Sequence, residues 1–110
     1  MRSERPPVER RGAGIADKAS LADQFAWRKA AYAARLAELQ DALRAAGDDE
    51  RQSLIEEAET IAHNLAGTAA MFGELRLGEQ AAAVEDGLRT GGEHGSGWID
   101  HLRYALARPA

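Results

Sequence analysis

Apolar side chains recur at helical spacing along most of the chain beyond residue 16. Up to residue 46 they follow one another at steps of three, four and seven, which places them on one helical face: Leu21, Phe25, Tyr32, Leu36, Leu39 and Leu43. Gly47 ends this pattern, and Asp48 and Asp49 after it can cap a following helix. The spacing therefore predicts a long first helix that begins near Asp17 or Ser20.

Three further helices are predicted over residues 50–72, 74–89 and 98–107. Gly73 separates the first two of these, and glycine-rich segments at 91–92 and 95–97 precede the last. The inward face of the second helix is expected to carry Leu54, Ala58, Ile61, Leu65, Thr68 and Phe72. Short connections between amphipathic helices imply antiparallel neighbours. We therefore predict an all-α fold, an up-and-down antiparallel four-helix bundle.

The N-terminal segment, residues 1–16, shows no apolar periodicity and contains Pro6-Pro7, Gly12 and Gly14. We expect it to be a flexible tail, with the helical bundle over 17–110. It has no apolar run of the kind that forms a signal peptide, and no later stretch is apolar enough to span a bilayer. The expectation is a soluble, cytoplasmic protein without a membrane partner.

Composition and charge narrow the possible functions. The 110 residues suit a single domain, and the absence of cysteine excludes disulfides, thiolate metal sites and cysteine nucleophiles. After residue 16 the chain has 10 basic and 16 acidic residues, which argues against nucleic acid as a partner. Only two of the basic residues are lysine, and alanine is abundant, a composition that suggests a GC-rich bacterial genome.

His63 is the candidate for chemistry. It lies about 100° around the second helix from Ala62, beside the buried stripe, so its ring is expected to be at least partly exposed. A neutral imidazole offers one nitrogen lone pair to phosphorus, and Glu59, one turn earlier, is placed to accept the other ring N–H. Gly67 within a helix costs about 1 kcal/mol relative to alanine, which suggests that room is needed there. A histidine on a helix is usually structural, so whether His63 is functional depends on the residues around it.

The segment that follows His63 resembles the signature of the histidine-phosphotransfer (HPt) family. In that family the histidine is followed by glycine at the fourth position, a small residue at the sixth, Phe-Gly at the ninth and tenth, and a leucine that starts the packing of the next helix. The corresponding residues here are Gly67, Ala69, Phe72-Gly73 and Leu77. The predicted helix order extends the agreement over residues 20 to 107.

The resemblance implies a phosphorelay protein in which His63 accepts a phosphoryl group from a receiver-domain aspartate and passes it to another receiver. Such a chain is a phosphocarrier rather than a stand-alone enzyme. It needs no cofactor, because magnesium belongs to the partner receiver domain. The expected partners are receiver domains of response regulators or hybrid histidine kinases, docked on a monomer around His63 through Asn64, Ala70 and Met71.

One position departs from the family pattern. Members often carry lysine three residues after the histidine, where its charge helps to hold the phosphoryl group, and this chain has Ala66. Arg76, on the third helix, is a candidate to supply the missing charge beside Ala66 and Gly67. Ala66 also keeps an alternative open, a non-transferring helical module that binds a receiver or kinase. A helical oligomerisation domain is a third possibility.

Other candidate sites have weaker support. His94 and His101 are seven residues apart, but no cluster of acidic or histidine residues surrounds them, so no metal site is expected. The glycine pairs follow no strand and lack the lysine of a nucleotide-binding loop. Trp27 and Trp98 are expected to pack in the core or at its rim, because no basic residues interleave with them.

Overall fold

A computed structural model describes the backbone of residues 5–90 and 95–108, with side chains from residue 20 onward in these ranges. Within them the chain forms four α-helices and no strand: α1 (Arg5–Ala45), α2 (Asp48–Met71), α3 (Leu75–Thr90) and α4 (Gly95–Ala107). Each helix packs against the next, and α4 also packs against α1. The predicted all-α four-helix bundle is confirmed.

The core is built from small and branched aliphatic side chains, as the scarcity of aromatic residues requires. α2 buries six residues along one face, and Leu36, Leu39, Val84, Ile99 and Leu102 from the other helices are fully enclosed around them. Buried alanines let the helices approach closely. The buried set on α2 is Ile55, Ala58, Ile61, Ala62, Leu65 and Ala69.

α1 begins earlier than the periodicity indicates, because its first residue is Arg5 and not a residue near Asp17. Residues 5–16, expected as a tail, are helical. Pro6 and Pro7 are compatible with this start, since proline is tolerated in the first turn, where its missing N–H has no intrahelical partner. Residues 1–4 and the break predicted at Gly91-Gly92 lie outside the described residues, and the division of the chain at residue 16 stays a prediction.

The turn between α2 and α3 sets these two helices side by side. Gly73 adopts a left-handed conformation with φ of 78°, which glycine reaches without strain. The Gly73 N–H donates to the Ala70 carbonyl at 3.2 Å, and the Glu74 N–H donates to the Ala69 carbonyl at 2.9 Å. This is a Schellman motif, which satisfies the last carbonyls of α2 and reverses the chain.

Two apolar predictions on α1 are wrong. Leu21, expected on the inward face, is exposed, and Trp27, expected in the core or at its rim, has 79% of its surface in solvent. Trp98, in contrast, is half-buried against Gly87, where a Cβ atom would lie 2.1 Å from the indole. Among the side chains described on α1, those from residue 20 onward, Phe25 is the first that is buried.

Candidate functional site

His63 lies on the outer side of α2, next to the buried Ala62. Its side chain is 71% exposed, so the ring stands in solvent and not between helices. The position follows from the helical repeat, since a residue 100° from the centre of a buried stripe falls at its edge. An exposed imidazole on a rigid helix is accessible to a second protein.

One ring nitrogen of His63 is occupied by α3. Nδ1 lies 2.9 Å from Oε2 of Glu85, a carboxylate whose side chain is only 19% exposed. An ionised carboxylate can only accept a hydrogen bond, so this contact assigns the proton of the neutral ring to Nδ1. Nε2 is then left with its lone pair, on a ring that is open to solvent.

Arg89 joins the same carboxylate from one turn further along α3. Its Nη2 lies 3.0 Å from Oε2 of Glu85, the oxygen that also contacts His63. Its Nε donates to Oε2 of Glu59 at 3.3 Å, and Nη1 lies 3.8 Å from Oδ1 of Asp86. The hydrogen bond to Glu59, together with the charges of Glu85 and Asp86, raises the pKa of the Arg89 guanidinium. The site is therefore a chain of contacts from histidine through carboxylate to arginine.

The expected contact between Glu59 and the His63 ring is not formed, because Glu59 accepts from Arg89 instead. The positive charge of Arg89 on the neighbouring helix binds the Glu59 carboxylate. Glu85 reaches the ring from the neighbouring helix. The ring-orienting carboxylate predicted at Glu59 is corrected to Glu85.

Neither Glu85 nor Arg89 was among the site residues predicted from the sequence. A signal for both exists in the spacing around the turn. His63 and Glu85 are each eleven residues from Glu74, and Glu59 and Arg89 are each fifteen residues from it. Residues equally far from a tight turn lie at the same level of two antiparallel helices, so this symmetry pairs them.

The surface on the C-terminal side of His63 is open. Asn64, Gly67, Ala70 and Met71 are all exposed, Met71 at 82%, and Ala66 is half-buried. A Cβ atom built on Gly67 would meet no heavy atom within 4 Å. The room around Gly67 is thus not filled by the described part of this chain. These exposed residues share one face of α2 with His63, and we call them the His63 face.

Arg76 does not lie beside the histidine. It lines a cleft at the start of α3 together with Gln80 and Arg108. Nine residues separate it from Glu85, which corresponds to about 13 Å along the helix and half a turn around it. The suggestion that Arg76 supplies the charge missing at Ala66 is therefore contradicted, and the arginine next to the ring is Arg89.

Two further features are absent from the part of the chain that the structure describes. No group of three or more histidine and acidic side chains there is arranged to hold a metal ion. None of those helices combines the length and apolarity needed to cross a bilayer. His101 packs edge-on against Trp98, with ring centroids 6.2 Å apart, and His94 lies outside the described residues.

Among comparisons with known proteins, the match found is to a protein-family model. A family model described as "Hpt domain" matches residues 29–108, a span that reaches from the middle of α1 to the end of α4. It includes His63, Glu85 and Arg89. Searches among curated proteins and among solved structures found no match.

Proposed function

The chain belongs to the Hpt domain family, and we propose that it is a cytoplasmic phosphocarrier whose His63 takes a phosphoryl group from a receiver-domain aspartate and passes it to another receiver. Domains of this family are phosphotransfer modules of two-component signalling and not stand-alone enzymes. Identifying His63 as the acceptor and receivers as both donor and recipient is our inference.

The observation that carries the proposal is the state of the His63 ring. Glu85 holds Nδ1, which leaves Nε2 as the nucleophile on a side chain that is 71% exposed. A structural histidine would be expected to have both nitrogens satisfied or its ring packed. Here one nitrogen is oriented by a partly buried carboxylate and the other is unobstructed, as a nucleophile requires.

The transfer step follows from this arrangement. The Nε2 lone pair forms a bond to phosphorus while the bond from phosphorus to the aspartyl oxygen breaks, and the aspartate leaves as a carboxylate. The ring gains a positive charge, which is shared with Nδ1–H beside the Glu85 carboxylate. Transfer to the next receiver reverses these changes, because the ring leaves as neutral imidazole with its proton still on Nδ1.

We propose that the partner receiver domain supplies the magnesium ion for the transfer. This ion neutralises charge on the transferring phosphoryl group. The His63 face offers exposed Met71 and Ala70 beside the polar Asn64. A small, mixed surface of this kind suits a transient complex of monomers that must separate after each transfer.

The alternative is a module that binds a receiver without accepting phosphate, and Ala66 is the observation in its favour. The first experiment separates the two. The native chain and His63→Gln are incubated with phosphoramidate, a small donor that needs no protein partner, and analysed by intact mass. We expect one acid-labile phosphoryl adduct on the native chain and none on the variant. A folded native chain without an adduct would overturn the proposal.

His101→Gln is the matched control, because His101 is also exposed but belongs to α4, where it packs edge-on against Trp98. It should acquire the adduct at the native rate. If this variant loses the adduct while His63→Gln keeps it, the acceptor is His101 on α4 and not His63 on α2. The phosphorylated chain is then mixed with purified receiver domains, and movement of the label to a receiver aspartate tests the relay role itself.

A further inference from the structure

The surroundings of the His63 ring are acidic. Glu85 contacts it directly, and Glu59 and Asp86 lie around the same arginine. Together these three carboxylates and Arg89 carry a net charge of −2. A phosphoryl group on Nε2 adds about −1.5 to −2 at neutral pH, so it would be repelled unless a cation turned towards it. The family's usual lysine is absent, since position 66 is alanine.

Arg89 is the cation in place to respond. Its Nη2 and the Nδ1 of His63 contact the same oxygen of Glu85 at 3.0 and 2.9 Å, which holds the two nitrogens within about 6 Å of each other. Its side chain is 54% exposed, and its contacts to Glu59 and Asp86, at 3.3 and 3.8 Å, are long for charged hydrogen bonds. The guanidinium can therefore move without disturbing the core.

We propose that Arg89 is a phosphoryl-binding residue: after phosphorylation of His63 its guanidinium turns from Glu59 and Asp86 to the phosphoryl oxygens, in place of the lysine missing at position 66. The inference rests on the proposed function and adds to it. A guanidinium has five N–H donors, so it can bind phosphoryl oxygens while one N–H stays on Glu85. Glu85 meanwhile keeps its hold on Nδ1–H.

The position of Arg89 on α3, and not on α2, has a consequence. Arg89 approaches the ring from α3, through the carboxylate that holds Nδ1, and not from the exposed residues of the His63 face. A phosphoryl group that is bound from α3 leaves the exposed residues of the His63 face free for docking. We expect the stored phosphohistidine to depend on this one arginine for its lifetime.

The test measures the lifetime of phosphohistidine. The native chain, Arg89→Gln and Arg89→Lys are phosphorylated with phosphoramidate, the reagent is removed, and the adduct is followed over time by intact mass. We expect the adduct on Arg89→Gln to decay about five- to tenfold faster, because a charge-assisted contact is lost and three carboxylates remain uncompensated. Arg89→Lys should recover part of the lifetime. Arg76→Gln, on the same helix but away from the ring, should decay at the native rate.

Glu59→Gln separates phosphoryl binding from a merely structural role. It weakens the link from Arg89 to α2 but leaves the arginine. If Arg89 binds the phosphoryl group, this variant keeps the native lifetime or extends it, because a competing carboxylate has been neutralised. If Arg89 only braces α3 against α2, Glu59→Gln shortens the lifetime as Arg89→Gln does, and the inference fails.

The two proposals fail in different ways. A native chain that never forms the adduct refutes His63 as acceptor. A native chain that forms it, beside an Arg89→Gln variant with the same decay rate, refutes only the role of Arg89. Thermal unfolding of each variant, followed by circular dichroism, shows that the compared proteins are folded at the assay temperature.

Discussion

At the scale of single residues, the histidine depends on groups that do not neighbour it in sequence. His63 is oriented by Glu85, which is itself held by Arg89, and both come from α3. The one residue of the His63 face without a side chain is Gly67, and no described atom lies where its Cβ would be. Packing within the described chain therefore does not offset the loss of helix stability that Gly67 causes.

Gly67→Ala should raise the free energy of unfolding by about 1 kcal/mol, because alanine is the better helix former and the added methyl group meets nothing. Urea unfolding measures this. If the open space serves a docked receiver, the same variant accepts phosphate from phosphoramidate at the native rate but more slowly from a receiver. A receiver rate equal to that of the native chain would show that the space is not used in docking.

Gly78→Ala is the matched control for the stability change. A Cβ at Gly78 would lie 3.2 Å from the Ala66 carbonyl oxygen, because α3 approaches α2 closely there. The gain in helix propensity is then opposed by a tight contact with backbone. We expect the control to be less stable than Gly67→Ala, and the reverse order would contradict the packing described here.

At the scale of helices, α1 is tied to α2 by a surface ion pair. The Arg35 guanidinium donates to both carboxylate oxygens of Glu57, one of these bonds being 2.8 Å long. The hydrogen bond from Arg35 lowers the pKa of the Glu57 carboxyl below its ordinary value of 4.5. The pair is exposed, so its contribution is small and weakened by salt.

The lowered pKa of Glu57 makes that contribution depend on pH. A carboxyl with a depressed folded-state pKa stabilises the fold above its ordinary pKa, and the effect is lost as pH falls through the folded-state value. Glu57→Gln should therefore melt slightly below the native chain at about pH 6 and together with it in strong acid. Melting curves across this range are the measurement, and a difference that persists in acid would rule out the ion pair as its cause.

At the scale of the whole molecule, α1 closes the bundle over the turn that aligns α2 and α3. Phe25 is buried against Phe72, with parallel rings whose centroids are 4.8 Å apart. Lys29 lies over the Phe25 ring and pairs with Glu74 at 2.9 Å. These contacts join the middle of α1 to both sides of Gly73, so the turn is held from outside as well as by its own hydrogen bonds.

Phe25→Ala should lower the free energy of unfolding by about 3 kcal/mol, the usual loss when a buried phenylalanine is truncated. Trp27→Ala is the control, since Trp27 is two residues away on the same helix and is 79% exposed; its effect should stay within about 0.5 kcal/mol. Urea unfolding of both variants tests this. Equal losses would mean that α1 packs through a different face.

Much of the fold could be predicted from local pattern. Helical spacing and glycine breaks located all four helices to within a few residues, except that α1 begins at Arg5. The same spacing indicated an exposed His63, since exposure at the edge of a buried stripe depends only on the rotation between neighbours. Leu21 was misplaced because a periodic stripe shows which residues share a face and not how far along the helix a partner covers it.

The sequence by itself thus determined an all-helical bundle, a histidine on the outside of its second helix and the family to which the chain belongs. Only the tertiary structure decided that Glu85 and not Glu59 orients the ring, and that Arg89 and not Arg76 is the nearby cation. The physical reason is that contacts between helices depend on their register and rotation. Here both are set by the left-handed Gly73 turn and by the close approach of Gly78 to Ala66.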